Sequence, residues 1–242
     1  MSEPGAAATR GLPAGGRDAL GRVLELLAAA RGAPSAVRDP EDAWRVHVAD
    51  SLTGLEVEAV RVARRIADLG SGAGFPGIPL AVALSTARVD LIEAIGRKCD
   101  FMRQAIEAAR ITNARVVCER AETWAATAPP EGGRESYDVV AARAVGRMST
   151  LAELASPLLV AGGVLVAWKG RRHSEEEAEL GRAADRLAMT PVSIDWVGPY
   201  AGSRHRHLHV VRKNGPTPEG LPRRPGMAKK RPFGSGPRLG AR

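Results

Sequence analysis

The fold is decided by the stretch Ile66-Ala67-Asp68-Leu69-Gly70-Ser71-Gly72-Ala73-Gly74-Phe75-Pro76-Gly77. A short apolar run enters a glycine-rich turn, and the apolar segment that follows predicts a helix. Glycines at 70, 72 and 74 allow positive φ and let the main chain approach a ligand that a Cβ would push away. The first N–H groups of the helix are unpaired and its dipole is positive there. The stretch therefore predicts a strand, a turn that binds a small-molecule cofactor, and a helix.

A second strand supports a nucleoside site. Arg88-Val89-Asp90-Leu91-Ile92-Glu93 ends in a carboxylate, twenty-three residues after Gly70. An acid at the tip of this strand can accept two hydrogen bonds from a ribose diol. The alternative is an ordinary strand, turn and helix in a parallel sheet, whose glycines only tighten the turn.

Two classes of cofactor fit this pattern. Gly72-x-Gly74-x-x-Gly77, with Glu93 nineteen residues after Gly74, matches a dinucleotide site, so an NAD(P)-dependent oxidoreductase is an alternative. Asp68 favours the other class, because a carboxylate before the first glycine would repel a pyrophosphate and attract the ammonium and sulfonium of S-adenosylmethionine. The residues D-L-G-S-G-A-G resemble the first motif of the class I methyltransferases. A small-molecule methyltransferase is a further alternative.

Composition sets the class of protein. The chain has 242 residues, of which 44% are hydrophobic, enough for one sizeable α/β core. Cys99 and Cys118 lack metal-ligand spacing, so we expect reduced, buried thiols, no metal site and a cytoplasmic protein. The apolar runs are too short for a membrane span, and the N-terminus lacks the pattern of a signal peptide. We therefore expect no membrane partner.

The positive charge is concentrated at the C-terminus. The formal net charge is +8, and residues 204–242 alone carry +10, which leaves −2 for the rest. Residues 215–242 are rich in Pro, Gly, Arg and Lys, which predicts a mobile tail. Such a tail suits a polyanion such as RNA, or it only increases solubility.

The chain divides into four parts. We predict a disordered N-terminus over 1–16, a helical cap over 17–60, a methyltransferase domain over 61–213 and a basic disordered tail over 214–242. The cap contains a helix over 17–33 and a second helical region that starts at Pro40. Strands are predicted at 64–69, 88–93, 114–118, 137–142, 162–168, 191–197 and 206–212. Helices are predicted at 77–86, 96–111, 147–160 and 174–188. The α/β alternation and a final hairpin predict a Rossmann-like, seven-stranded, mostly parallel sheet.

Further candidate residues follow the other strands. The segment after the third strand passes the adenine in nucleoside-binding sheets, so the main chain of Ala121 and the side chain of Glu122 can contact it. Arg143 ends the fourth strand, where open α/β sheets bind their ligands, and is positioned for substrate. The predicted contacts to an RNA backbone, which can equally be solvated surface charges, are Lys169, Arg171, Arg172 and Arg206.

The missing motifs narrow the reaction. No polar-Pro-Pro-aromatic loop follows the fourth strand, as methylation of an exocyclic amine would need. Neither cysteine follows a proline there, so attack on pyrimidine C6 lacks its nucleophile. Guanine N7 is exposed and unprotonated, and its methylation needs alignment and electrostatics more than a general base.

Taken together, the motifs resemble the RsmG (GidB) family of bacterial small-subunit ribosomal RNA methyltransferases. The resemblance covers about residues 17–213. It is carried by His47-Val48-Ala49-Asp50-Ser51, the 68–79 turn, Glu93 with Gly96-Arg97-Lys98, Ala142-Arg143-Ala144, Trp168-Lys169-Gly170 and Arg206-His207-Leu208.

The resemblance implies N7-methylation of one guanine in a decoding-region loop of 16S rRNA, free or in the small subunit, with S-adenosylmethionine as donor. We expect a monomer. For His47 we expect structural packing against the mouth of the cofactor site. The cofactor contacts that the resemblance implies are Gly70, Phe75, Glu93, Ala121, Glu122 and Arg143.

Overall fold

A computed structural model describes residues 11–30, 35–37, 39–143 and 146–236. Its centre is one seven-stranded sheet. The strands are β1 (Arg65–Leu69), β2 (Arg88–Ile92), β3 (Ala114–Val117), β4 (Tyr137–Arg143), β5 (Leu159–Lys169), β6 (Met189–Trp196) and β7 (His207–Lys213).

The strand order is β3-β2-β1-β4-β5-β7-β6. The first five strands run parallel, and β7 pairs antiparallel with both β5 and β6. Because the crossovers leave β1 and β4 in opposite directions, a crevice opens between their carboxyl ends, where such sheets bind ligands. The predicted fold class and the final hairpin are confirmed.

Helices cover both faces of the sheet. The α-helices are α1 (Gly16–Ala29), α2 (Pro40–Ala43), α3 (Asp50–Leu52), α4 (Glu58–Val62), α5 (Gly77–Ala83), α6 (Gly96–Ala108), α7 (Ala121–Trp124), α8 (Met148–Ala155), α9 (Ser174–Ala183) and α10 (Met227–Lys230). A π-helix over Trp44–Ala49 joins α2 to α3 in the cap. One core packs the cap, α5 and α6 against the sheet, and a second packs α7, α8 and α9 against the other face.

All four helices predicted between the strands end before the expected residue, and two of them end five residues early. The segment predicted at 147–160 ends as α8 at Ala155. Ser156 still donates to Ala152 O at 2.9 Å, but Pro157 has no N–H with which to continue the helical hydrogen bonds. The segment predicted at 174–188 is α9 followed by a 3₁₀ turn over Asp185–Leu187. The last residues of the helix predicted at 17–33 lie outside the described residues, as do the first ten residues of the predicted disordered N-terminus.

The prediction of a disordered tail is wrong for residues 214–236, which we call the C-terminal strap. The strap contains α10 and packs against the α8 face of the sheet. Leu221 and Ala228 are buried, and Phe233 lies between the guanidinium groups of Arg186 and Arg223 at 4.3 and 4.0 Å. Residues 237–242 lie outside the described part of the chain.

Polar contacts hold the strap at its start and near its middle. At its start, the buried Lys213 ammonium donates to Glu135 Oε1 at 2.9 Å and to Thr217 Oγ1 at 2.8 Å. These two partners lower the pKa of Glu135 to about 2. Farther along, Arg223 makes a two-pronged ion pair with the buried Glu153 of α8, with N–O distances of 2.6 and 2.5 Å. Composition indicated mobility, and these long-range contacts prevent it.

The prediction of reduced, buried thiols is confirmed only for the burial of Cys99 and is wrong for the rest. Cys99 of α6 and Cys118 after β3 form a disulfide, with their Cα atoms 5.8 Å apart, and Cys118 is exposed. The strands β2 and β3 are neighbours, so the chain that leaves each of them comes together at the same edge. Spacing along the sequence does not reveal this neighbourhood.

Within residues 11–30, 35–37, 39–143 and 146–236, no helix is long and apolar enough to cross a membrane. The same residues contain no group of three or more His, Cys, Asp or Glu arranged to hold a metal ion.

The Arg223–Glu153 pair gives a test of the strap. Arg223→Ala leaves a carboxylate that is 2% exposed without its partner, so we expect a loss of about 2–4 kcal/mol in the free energy of unfolding. Arg224→Ala, at the exposed neighbour, is the matched control and should stay within about 0.5 kcal/mol of the original chain. Urea unfolding at pH 7 measures both. Equal stability of the two variants would mean that the pair does not hold the strap.

Candidate cofactor and substrate site

The predicted site residues converge on the carboxyl edge of the sheet. The glycine turn follows β1, Glu93 follows β2, and Arg143 ends β4. Two contacts link these segments: Glu93 Oε2 accepts from Gly72 N–H at 3.1 Å, and the Arg143 guanidinium lies 5.5 Å from the centre of the Phe75 ring. The structure thus brings together the side chains that the sequence placed at separate strand tips.

The glycines of the turn have different roles. Gly72 has φ +61°, and a Cβ on it would meet only Gly70 O, at 3.9 Å, so open space lies above this residue. A Cβ on Gly74 would lie 2.3 Å from Ile78 Cδ1, and Gly74 has φ +91°, so its backbone conformation and its packing both favour glycine. The ligand-accommodating role that we predicted for the turn therefore fits Gly72, while the alternative, that the glycines only tighten the turn, fits Gly74.

Asp68 lies beneath the turn. Its side chain is fully buried, and Oδ2 accepts a hydrogen bond from the N–H of Gly77 at 2.9 Å, which caps α5. Oδ1 is buried and has no hydrogen-bond partner among the residues that the structure describes. Burial raises the pKa of Asp68 to about 7, although the hydrogen bonds from Gly77 and Ser71 oppose the shift. The sequence indicated a fully charged group facing the ligand. The structure adds a second role for Asp68, the hydrogen bond that it accepts at the start of α5.

Glu93 is held at the rim of the turn. Its Oε2 accepts from Gly72 N–H at 3.1 Å and its Oε1 from Ile95 N–H at 3.0 Å, while the Lys98 ammonium lies 3.7 Å from Oε2. The carboxylate is nearly buried, at 7% exposed. It is therefore oriented before any ligand binds, beside the open space above Gly72.

Arg143 joins the sheet to the cap. Its Nη1 donates to Val46 O at 3.0 Å and to Asp50 Oδ2 at 3.1 Å. Its Nη2 lies 3.2 Å from His47 Nδ1, and the guanidinium lies 5.5 Å from the centre of the Phe75 ring. Burial lowers the pKa of Arg143, and the charge of Asp50 opposes the shift. We predicted donors that face the substrate, and the structure directs most of them to the cap.

His47 packs as the sequence led us to expect. Its ring stacks on Phe75 with centroids 4.7 Å apart, and Nε2 lies 2.7 Å from Ser35 Oγ. Burial and the charge of Arg143 lower the pKa of His47 to about 4. Because a guanidinium only donates, Nδ1 must accept from Arg143, so the proton of the neutral ring is on Nε2. Both ring nitrogens are thus engaged within the protein.

A cleft of about 310 Å³ lies between the cap and the carboxyl edge. Trp168 fixes the cap beside it, because its Nε1 donates to Asp50 O at 2.8 Å. Arg206 enters from β7, and its Nε is buried without a hydrogen-bond partner in the described part of the chain. The residues that line the cleft are Val46, His47, Asp50, Arg143, Trp168, Lys169, Gly170, Val197, Arg206 and His207.

Ala121 and Glu122 begin α7, at the carboxyl end of β3. Glu122 is 7% exposed, and its Oε1 accepts from the N–H of Gly226 at 2.6 Å and lies 3.4 Å from Arg120 Nη2. Burial alone would raise the pKa of Glu122, but the bond from Gly226 and the charge of Arg120 lower it overall. Gly226 belongs to the strap, a partner that the sequence did not indicate.

Several of the predicted RNA contacts carry ion pairs. Lys169 Nζ donates to Glu176 Oε1 at 2.6 Å, and Arg172 forms a two-pronged pair with Glu177. Arg171 is exposed. Arg206 Nε lies 3.8 Å from Asp50 Oδ1, inside the cleft. The positive groups are grouped as predicted, but the carboxylates of α9 neutralise part of their charge.

The donor set fits the predicted cofactor. The space above Gly72 takes a ligand, Glu93 is an oriented acceptor for hydroxyl groups, and Asp68 offers an unpartnered carboxylate oxygen that a nearby cation would ionise. S-Adenosylmethionine carries a ribose diol, an ammonium and a sulfonium. The residues present therefore match its groups.

Comparison with known proteins identifies the family. The model of the GidB family, described as "rRNA small subunit methyltransferase G", matches residues 29–207. The chain belongs to the GidB family. Relatives with the same description include those of Rubrobacter xylanophilus, 40% identical over 82% of this chain and 76% of the relative, and Chloroflexus aggregans, 40% identical over 82% of each. The family resemblance stated from the motifs is confirmed.

Solved structures support the fold. The chain resembles an O-methyltransferase from Bacillus cereus in complex with SAH, with a TM-score of 0.58 and 21% identity over 81% of this chain and 91% of that one. It also resembles the Methanococcus jannaschii fibrillarin pre-rRNA processing protein, with a TM-score of 0.52 and 19% identity over 69% and 74% of the two chains. At these identities the likeness concerns the fold alone.

The GidB family consists of S-adenosylmethionine-dependent methyltransferases of 16S rRNA that act on guanine N7. The chain is therefore an enzyme of the predicted class, and the predicted cofactor and function are confirmed. The oxidoreductase alternative is set aside, since the family transfers methyl groups.

The lowered pKa of His47 predicts a pH effect. Above pH 6.5 the ring of His47 is neutral in both the folded and the unfolded chain, so its burial has no pH-dependent effect on stability. As the pH falls from 6.5 towards 4, the ring binds a proton in the unfolded chain but not in the folded chain, and this difference favours unfolding. The chain should therefore lose on the order of 1–2 kcal/mol of stability between pH 6.5 and 4, relative to His47→Gln, which cannot titrate. Urea unfolding across this range measures the difference. Parallel curves for the two proteins would contradict the buried neutral histidine.

Proposed function

We propose that this chain binds S-adenosylmethionine on the 70–77 turn and methylates a guanine held in the cleft between the cap and the sheet. The observation that carries the proposal is the position of the cleft. Arg143 and His47 line the cleft, and both also contact Phe75 of the turn. A base in the cleft would therefore lie next to a cofactor bound on the turn.

The cofactor residues have separate tasks in this proposal. Glu93 accepts from the ribose, Asp68 provides negative charge near the sulfonium and ammonium, and Ala121 with Glu122 contacts the adenine. Phe75, stacked on His47, forms an apolar wall. The main chain at Gly70, Gly72 and Gly74 lets the cofactor approach the turn closely. When bound, the cofactor supplies an electrophilic methyl group.

The chemistry of the cleft suits guanine N7. This nitrogen has a lone pair and no proton, so the new N–C bond can form as the S–C bond breaks, without a general base. Both nitrogens of His47 are engaged, and the carboxylate of Asp50 is paired with Arg143. Arg206 Nε lies in the same cleft, 3.8 Å from Asp50 Oδ1, and completes its polar lining. The residues thus position the base and remove no proton.

We propose that Arg143 acts mainly through position. The methylated purine gains a positive charge, so a cation close to the ring would oppose the reaction. The bonds of Arg143 to Val46, His47 and Asp50 instead fix the cap that forms one side of the cleft. Alignment of the reacting groups can supply a large part of the decrease in activation free energy for a group transfer.

The RNA is proposed to lie across the carboxyl edge. Lys169, Arg171, Arg172 and Arg206 border the β5 and β7 side, and the exposed Arg224, Lys229 and Lys230 of the strap border the β3 side. The strap is at this edge because Gly226 contacts Glu122, and Thr150 in the first turn of α8 donates to Ala228 O. We propose that the substrate is 16S rRNA or the small ribosomal subunit, and that the enzyme works as a monomer in the cytoplasm.

The test of Arg143 uses Arg143→Lys, which keeps the charge beside Asp50 but loses the fork that reaches three partners. We expect methyl transfer to 16S rRNA to fall about 100-fold or more, with SAH affinity changed only a few-fold. Glu93→Ala is the contrasting variant, with SAH affinity lowered by about 2–3 kcal/mol. Calorimetry and single-turnover methylation measure the two effects. Near-normal turnover of Arg143→Lys would show that the position of the cap does not control transfer.

The test of the RNA surface uses the variant Lys229→Gln with Lys230→Gln. If both lysines contact phosphates, the slope of log affinity for rRNA against log salt should decrease by about 1.4 to 1.8. The matched control removes the same charge at the opposite edge of the sheet, in Arg64→Gln with Arg88→Gln. A filter-binding salt titration compares the three proteins. Identical slopes would leave the strap lysines outside the RNA contact.

A further inference from the structure

The C-terminal strap contacts the adenine side of the cofactor site. It lies beyond the family match at residues 29–207, and its main chain contributes a hydrogen bond to a residue that the site needs. The N–H of Gly226 donates to Glu122 Oε1 at 2.6 Å. This is the shorter of the two contacts that Oε1 makes, since Arg120 Nη2 is 3.4 Å away.

The strap is positioned firmly enough to fix this contact. The Arg223–Glu153 ion pair lies three residues before Gly226, and the bond from Thr150 to Ala228 O lies two residues after it. Glu122 itself lies in the first turn of α7 with little exposure. The carboxylate is therefore held from the strap side, through Oε1.

We propose that the strap is a wall of the cofactor site and that Gly226 positions Glu122 to accept from the exocyclic amine of adenine. The proposal rests on the proposed function, in which Glu122 contacts the adenine. An ionised carboxylate accepts from an amine but repels a ring carbonyl in the same place. Gly226 then contributes to discrimination between adenine and a 6-oxopurine, without touching the cofactor itself.

The lowered pKa of Glu122 agrees with this role. Burial raises the pKa, and the Gly226 bond is the largest influence that opposes it. Loss of the bond would favour the protonated carboxyl group, which could donate to a carbonyl. A displaced strap should thus weaken adenine binding and reduce discrimination against the oxo analogue.

The strap offers a matched pair of glycines for the test. Gly226 has φ +85° and Gly220 has φ +82°, and an added Cβ would meet nothing within 4 Å at Gly220 and only Arg120 Nη2 at 3.9 Å at Gly226. Alanine at either position therefore introduces the same backbone strain and no clash. Only the Gly226 main chain bonds to Glu122, so only Gly226→Ala should move the carboxylate.

The experiment measures the affinities of S-adenosylhomocysteine and S-inosylhomocysteine by calorimetry, with melting temperature as the fold control. We expect Gly226→Ala to bind the adenosyl ligand about fivefold less tightly and to lose part of its preference over the inosyl ligand. Gly220→Ala should keep both values, with a similar drop in melting temperature. Unchanged or tighter adenosyl binding in Gly226→Ala would overturn the proposal.

Glu122→Leu, which removes the acceptor oxygens at similar size, separates the proposed adenine contact from the proposed role of the strap. If this variant keeps the affinity and the preference of the original chain, Glu122 does not contact the adenine and that part of the proposed function fails. If Glu122→Leu loses the preference while Gly226→Ala keeps it, the adenine contact stands and the role of the strap is overturned. The inference is supported only if the Glu122 variant and Gly226→Ala both lose the preference for the adenosyl ligand and Gly220→Ala keeps it.

Discussion

The buried contact between Arg143 and Asp50 holds the helical cap on the carboxyl edge of the sheet. Asp50 is 5% exposed and cannot be left there unpaired at low cost. The same guanidinium donates to Val46 O and to His47 Nδ1. One side chain therefore fixes the position of the cap, the tautomer of the histidine and the stacking of its ring on Phe75. The cleft and the wall of the proposed cofactor site both depend on this link.

Much of the fold was predictable because its signals are local. Alternating apolar runs, the glycine turn and helical periodicity each occupy a few consecutive residues, and all seven strands occur where they were predicted, with shifted bounds. The strap was not predictable in this way. Its Pro, Gly and Arg content indicates disorder, while its order comes from contacts such as Arg223 with Glu153, seventy residues away. The Cys99–Cys118 pairing likewise depends on neighbouring strands rather than on spacing.

For the site, the sequence predicted where the residues lie in the fold better than it predicted their hydrogen-bond partners. Parallel topology places the residue after each strand at one edge, so the convergence of Asp68, Glu93 and Arg143 followed from the order of strands. Topology does not state what each side chain contacts. Asp68 caps α5 through Gly77, and Arg143 bonds to a cap whose docking no periodicity encodes. Both residues were singled out for charge, and both also have a structural role that charge alone does not reveal.

The proposed cofactor site is bounded by the cap on one side and by the strap on the other. The cap contributes His47 beside Phe75, and the strap contributes Gly226 beside Glu122, while the sheet between them supplies the turn and Glu93. Removal of the strap would therefore combine two effects, since it takes away exposed lysines and also a donor to Glu122. A loss of RNA affinity after such a truncation would not by itself identify a phosphate contact. Charge changes at Lys229 and Lys230 leave the Gly226 bond in place, so only they isolate the electrostatic contribution of the strap.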